Sequence, residues 1–138
     1  MLAAMCLGAD GVQVGSRFAA TKESSAHDAF KQKITETGEG GTVLALKELT
    51  PVRLIKNKFY EEVTHAEARC ASKEELQQLL GRGRAKRGMF EGNLDDGELE
   101  IGQVSALIND VPTAAEIVQR LIAECNAALQ RASRLGSL

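Results

Sequence analysis

The chain has 138 residues, of which 43% are hydrophobic and 26% charged, and its formal net charge at pH 7 is −2. That balance carries no basic footprint for nucleic acid, and its apolar runs fall far short of the roughly 20 residues that cross a bilayer. No basic, apolar and small-residue leader opens it, so a cytoplasmic location with neither nucleic-acid nor membrane partner is expected.

Met1 to Leu7 is a helix-like apolar run closed by Gly8. The segment Gly8-Ala9-Asp10-Gly11-Val12-Gln13-Val14-Gly15-Ser16-Arg17-Phe18 then reads as a short buried strand, with β-branched Val12 and Val14, running into a polar turn. At Gly15 and Ser16 two successive N–H groups and one hydroxyl can approach an anion closely, which suits a phosphate. Taken alone, the same residues also fit a plain strand-end turn. Helix, short loop, strand and phosphate turn follow one another as in the late units of a (β/α)8 barrel, where the loops after strands seven and eight frequently build a phosphate site. A whole barrel takes about 250 residues. The expected fold class is therefore α/β, the C-terminal part of such a barrel followed by a mostly helical region.

Downstream, Ser25 and Asp28 form an approximate capping box for a helix over about 26–37, with Ala26, Phe30 and Ile34 as its apolar stripe, Lys31 and Lys33 on a solvated face and Gly38 as its stop. This is barrel helix eight, so residues 1–38 are assigned to the barrel end and 39–138 to the helical region. The Gly38-Glu39-Gly40-Gly41 run lacks the Lys-Ser/Thr ending of a nucleotide loop. Thr42 to Leu46 is a short strand, and Pro51 opens an expected helix to about Phe59, with Val52, Ile55 and Phe59 on one side and Arg53, Lys56 and Lys58 elsewhere. Ser72-Lys73-Glu74-Glu75 is a capping box for a helix with Leu76, Leu79 and Leu80 on its apolar face and Gly81 as its stop.

The cluster Arg82-Gly83-Arg84-Ala85-Lys86-Arg87 reads either as a solvated face neutralised by Glu91, Asp95, Asp96, Glu98 and Glu100, or as a patch for an acidic carrier or a cofactor phosphate. Asn93, Asp95, Asp96 and Gly97 have the composition of a polar turn, without the spacing of a calcium loop. In Ile101 to Ile108, Gly102 serves either packing or a close backbone approach to a ligand. The last helix starts at Thr113 with Glu116 as its capping box, and its stripe of Ile117, Leu121, Ile122 and Leu129, with Cys125 beside it, should pack on the rest of the protein. Cys6, Cys70 and Cys125 are odd in number and widely spaced, which points to buried or idle thiols rather than a disulfide framework or a metal site. His27 and His65 are the only histidines, and His27 lies where a structural role outweighs a catalytic one.

Leu7 to Phe18, Lys22-Glu23-Ser24-Ser25-Ala26-His27, Val52-Arg53-Leu54-Ile55-Lys56-Asn57 and Ile101-Gly102-Gln103 together resemble the FMN-dependent nitronate monooxygenases and the related enoyl-acyl carrier protein reductases of the second type. In that family the Gln-x-Gly-Thr/Ser segment binds FMN, so the resemblance implies that Gln13, Val14, Gly15 and Ser16 bind it here, with Gln103 as a neighbour of the flavin or of the active-site opening. It implies a C-terminal piece of an oxidoreductase whose chemistry belongs to the flavin. No catalytic residue is carried over, because the family's catalytic histidine lies upstream of the matching segments. The Val52 to Asn57 segment leans towards the enoyl reductases, in which NADH or NADPH reduces an acyl-thioester substrate through FMN, with acyl carrier protein as partner. The alternative is oxidation of alkyl nitronates with oxygen. A noncatalytic helical interaction module is the reading from another class.

Overall fold

The computed structural model describes residues 1–135. Among them the chain runs α1 (Leu2–Cys6), α2 (Ser16–Ala19), α3 (Asp28–Thr35), β1 (Thr42–Ala45), β2 (Val52–Ile55), α4 (Lys58–Ala68), α5 (Lys73–Leu80) and α6 (Ala114–Leu135). A π-helical turn at Lys86–Phe90 and a 3-10 turn at Gln103–Leu107 lie between the last two.

Residues 11–14, expected as a buried strand, carry no regular secondary structure, and Val12 and Gln13 are exposed. A parallel strand is held by partners along its edges, and no described segment pairs with this one. The helix expected from Pro51 is also corrected. Val52–Ile55 is a strand, antiparallel to β1 with Thr42 opposite Ile55 and Ala45 opposite Val52. Aliphatic residues on both faces favour a strand buried between layers over a short helix. Helix starts only after Asn57, whose Oδ1 accepts the Tyr60 N–H at 2.9 Å. The same side chain donates from Nδ2 to the carbonyls of Leu94 and Gly97, each at 2.8 Å. One amide thereby caps α4 and pins the 93–97 turn beneath it.

The other edge of β2 receives residues 99–101. Leu54 bridges Glu100, with Ile55 N–H donating to Leu99 O at 3.0 Å and Ile101 N–H to Arg53 O at 3.1 Å. Two apolar clusters meet across β2: Phe30, Ile34, Ile55, Leu99 and Ile108 on one side, Leu46, Leu54, Phe59 and Val63 on the other. Phe30 and Ile34 are buried as their stripe requires, but Lys31 is buried too, its Nζ donating to Lys22 O at 3.3 Å. Its long stem covers apolar surface while the ammonium finds a carbonyl.

Two of the three anticipated capping boxes form. Ser72 and Glu75 exchange bonds of 3.2 and 2.8 Å, and Thr113 and Glu116 bonds of 3.2 and 2.7 Å. For α3 the cap is His27 rather than Ser25, its Nδ1 accepting the Ala29 N–H at 3.1 Å. Packing of α6 is partial: Ile117 is buried, whereas Val118, Ile122 and Leu129 are about half exposed. Cys6 and Cys70 lie at the surface rather than buried, and Cys70 takes the left-handed conformation (φ 56°) that ends α4. No helix among the described residues is long and apolar enough to cross a membrane.

Replacing Asn57 with Ala removes one cap and leaves two carbonyls without their donor, so unfolding free energy should fall by about 2 to 3 kcal/mol. A urea titration with unchanged slope and an earlier midpoint is the expected result.

Candidate functional site

The turn at Gly15 and Ser16 opens α2, where the first N–H groups of a helix have no intrahelical acceptor. Gly15 has φ −99°, a conformation open to any residue, and a Cβ built on it would meet no atom within 4 Å. Nothing inside the described chain requires glycine there.

Ser16 Oγ accepts the Gly102 N–H at 3.0 Å. This occupies one lone pair and leaves the hydroxyl proton available to donate. A Cβ on Gly102 would come within 2.6 Å of that oxygen, which makes Gly102 a close-approach glycine against the turn. A cleft of about 460 Å³ is lined by Gly15, Ser16, Pro51, Arg53, Glu100 and Gly102. Strand β2 and its bridge to Glu100 bring the last four of these to the turn. Arg53 Nη1 donates to Thr42 O at 3.1 Å and to its Oγ1 at 3.3 Å. Arg53 and Glu100 are not legible from the sequence as neighbours of this turn, because the long-range bridge between Leu54 and Glu100 brings them there.

Arg17, next along from Ser16, is gripped by Asp110. Its Nη1 donates to the Asp110 carbonyl at 3.0 Å and its Nη2 to the carboxylate, while Arg120 Nη1 donates to the second carboxylate oxygen at 2.6 Å. The hydrogen bond from Arg120, aided by the charge of Arg17, holds the Asp110 carboxyl below the usual carboxylate range.

Of the residues expected around a cofactor, Gly15 and Ser16 line this cleft together. Val14 is half-buried and Gln13 exposed just before them, outside the cleft lining. Gln103 is exposed and lines a different groove of about 680 Å³ with Gly38, Gly40, Thr42, Val104 and Leu107. Its neighbour Gly102 is the residue that faces the turn.

The basic cluster divides. Arg84 is structural, with Nε on Leu80 O and Nη1 on Asp96 O, each at 3.0 Å, and its guanidinium 4.5 Å from the Phe59 ring centre. Lys86 pairs with Glu91 at 3.1 Å. Asp96 pairs with Lys58 at 2.9 Å, and Asn93 Oδ1 accepts the Asp96 N–H at 3.0 Å, so the acidic segment is a hydrogen-bonded turn. His27, besides capping α3, packs its ring against Gly92.

The family model of the nitronate monooxygenases matches residues 1–124. Among curated proteins the chain is similar to a (3aS,4S,5R,7aS)-5-hydroxy-7a-methyl-1-oxo-octahydro-1H-indene-4-carboxyl-CoA dehydrogenase of Mycobacterium tuberculosis, with 26% identity over 98% of the chain and 48% of the relative. It is 32% identical to a probable nitronate monooxygenase of Bacillus subtilis over 88% of the chain and 35% of the relative. Among solved structures it is similar to FabK from Thermotoga maritima, with TM-score 0.85 and 27% identity, covering 96% of the chain and 42% of that protein. The chain thus spans half or less of the length of these relatives. Its fold is that of the C-terminal part of a (β/α)8 barrel, followed by a mostly helical region that also carries the β1–β2 hairpin.

Next to the cleft, Glu98 is 6% exposed, and burial together with the charge of Glu100 pushes its carboxyl up to about 7, against the opposing pull of Arg84. An unfolded glutamate titrates near ~4.3, so between the two values the folded protein holds a proton that the unfolded chain releases. Stability should therefore fall as pH rises through that window and level off above about 7. Thermal unfolding midpoints of Glu98→Gln against pH should lack this descent.

Proposed function

The chain belongs to the nitronate monooxygenase family, and on that premise we propose that it forms the C-terminal part of an FMN-dependent oxidoreductase whose cofactor phosphate is held at Gly15 and Ser16. The carrying observation is the Gly15–Ser16 turn itself: a backbone with open space where a Cβ would stand, beside a hydroxyl whose lone pair is taken by Gly102 and whose proton is free to donate. That donor set fits a phosphate, which only accepts when fully ionised. Bound there, FMN supplies the hydride and electron chemistry. The chain's own residues bind and orient it: Gly15 admits close contact and Ser16 donates.

For the substrate we favour an acyl thioester, reduced at the expense of NADH or NADPH, with acyl carrier protein as its carrier. The Val52 to Asn57 segment supports this reading, as does the relative named for a carboxyl-CoA substrate. Nitronate oxidation is the second reading, favoured by the relatives named as probable nitronate monooxygenases.

In the full-length protein, Gly15→Val should obstruct the approach of the phosphate. Ser16→Ala should remove a hydrogen bond to a charged group, worth about 1.5 to 3 kcal/mol of FMN affinity. Flavin fluorescence titration of folded variants checks both, and unchanged affinity in both would remove the site.

The 138-residue chain alone should be colourless and show no NAD(P)H oxidation above that of free FMN, because residues 11–14 have no strand partner and the phosphate turn lacks a facing loop. A stoichiometric yellow complex with substrate-dependent turnover would contradict the assignment to a larger barrel.

A further inference from the structure

We infer that Asp110 is a positioning residue for the phosphate turn: acting through Arg17, and with the Gly102 N–H as the second anchor, it braces residues 15–17 so that their donors are fixed before an anion arrives. The inference rests on the FMN reading above.

Helix α2 has only four residues, too few to hold itself together, since helix nucleation alone is unfavourable. Its order has to come from outside. Besides the packing of Ala19 and Ala20 on the core, two polar anchors supply it, both from the segment between the β2 bridge and α6. Gly102 N–H fixes the Ser16 hydroxyl at 3.0 Å, 86 residues away in sequence. Asp110 holds Arg17 through its carbonyl and its carboxylate, 93 residues away. The Arg17 side chain is only 19% exposed, so it is not a loose surface pair.

Arg120, from the second turn of α6, takes the other carboxylate oxygen and stops Asp110 from rotating off Arg17. Two guanidinium groups share one carboxylate, and Glu116 and Glu124 beside Arg120 and Glu100 in the cleft lining offset their remaining positive charge, so the effect of Asp110 is one of geometry rather than of net charge. Asp110 itself would touch neither phosphate nor flavin. Its effect is exerted on direction: with Arg17 released, α2 can turn and carry the Ser16 hydroxyl and the adjoining N–H groups away from one shared target.

The test compares FMN with riboflavin, which lacks the phosphate, by fluorescence titration of flavin-free full-length protein. Asp110→Asn should lower the preference for FMN over riboflavin about tenfold, the size of one charge-assisted hydrogen bond. Asp110→Glu, which keeps the charge, should recover most of it. A merely structural role would weaken both ligands equally, and that result, or an unchanged ratio, overturns the inference. Ser16→Ala separates the two readings. If it lowers the ratio while Asp110→Asn does not, the brace fails and the site stands; if it leaves the ratio unaltered, the site has failed first. Should Asp110→Asn not fold, Arg17→Lys, which keeps the charge but loses the two-pronged grip on Asp110, is read by the same ratio, and no change there overturns the brace.

Discussion

The pairing of residues 99–101 with β2 is the constraint on which the rest of the site depends. Two backbone hydrogen bonds, Ile55 N–H to Leu99 O and Ile101 N–H to Arg53 O, set the register. A slip of one residue would reverse the faces of Leu99, Glu100 and Ile101. Leu99 and Ile101 would leave the core and Glu100 would enter it. In the observed register Glu100 reaches the cleft and Gly102 arrives at Ser16. The geometry at the turn is thus set by a strand pairing that contains neither turn residue.

That pairing is supported from beneath by close backbone crossings. A Cβ on Gly97 would collide with Gly88 and with the Asn93 carbonyl, and one on Gly88 would lie 2.7 Å from the Glu98 carbonyl. The π-helical turn and the segment entering residue 99 can approach so closely only because neither carries a side chain at the crossing. Asn57 and Arg84 then tie that segment to α4 and α5 through backbone carbonyls rather than through other side chains. Such bonds run from a side chain straight to main-chain carbonyls, so they fix the backbone of the segment itself.

Local chemistry was legible in the sequence, whereas tertiary placement was not. The Ser72 and Thr113 boxes could be read because the cap and its partner are three residues apart and need no other part of the molecule. The turn at Gly15 and Ser16 was legible as a turn for the same reason, its two residues being adjacent. Residues 52–55 misled because a short apolar run fits either period, and Pro51 ahead of it is compatible with a helix start. The strand is decided by β1 and by residues 99–101, which lie at distances no local window covers. Lys31 was assigned to water by its charge; the Lys22 carbonyl that accommodates it becomes apparent only in three dimensions. The segment 11–14 has the composition of a strand, but a strand also requires a neighbour. Gly102 rather than Gln103 at the turn follows from strand direction, which decides which of two adjacent residues faces inward.

The sequence distance across the Ser16–Gly102 contact has a consequence for biosynthesis. The turn emerges from the ribosome 86 residues before its anchor, a gap of roughly 4 to 17 s at about 5 to 20 residues per second. Throughout that interval the Ser16 hydroxyl lacks its partner, and the contacts that close late are the ones with greatest sequence separation. A nascent chain therefore carries the Ser16 hydroxyl without a fixed direction until Gly102 has been made and paired, so the geometry of this turn is a late product of folding although its sequence is made early.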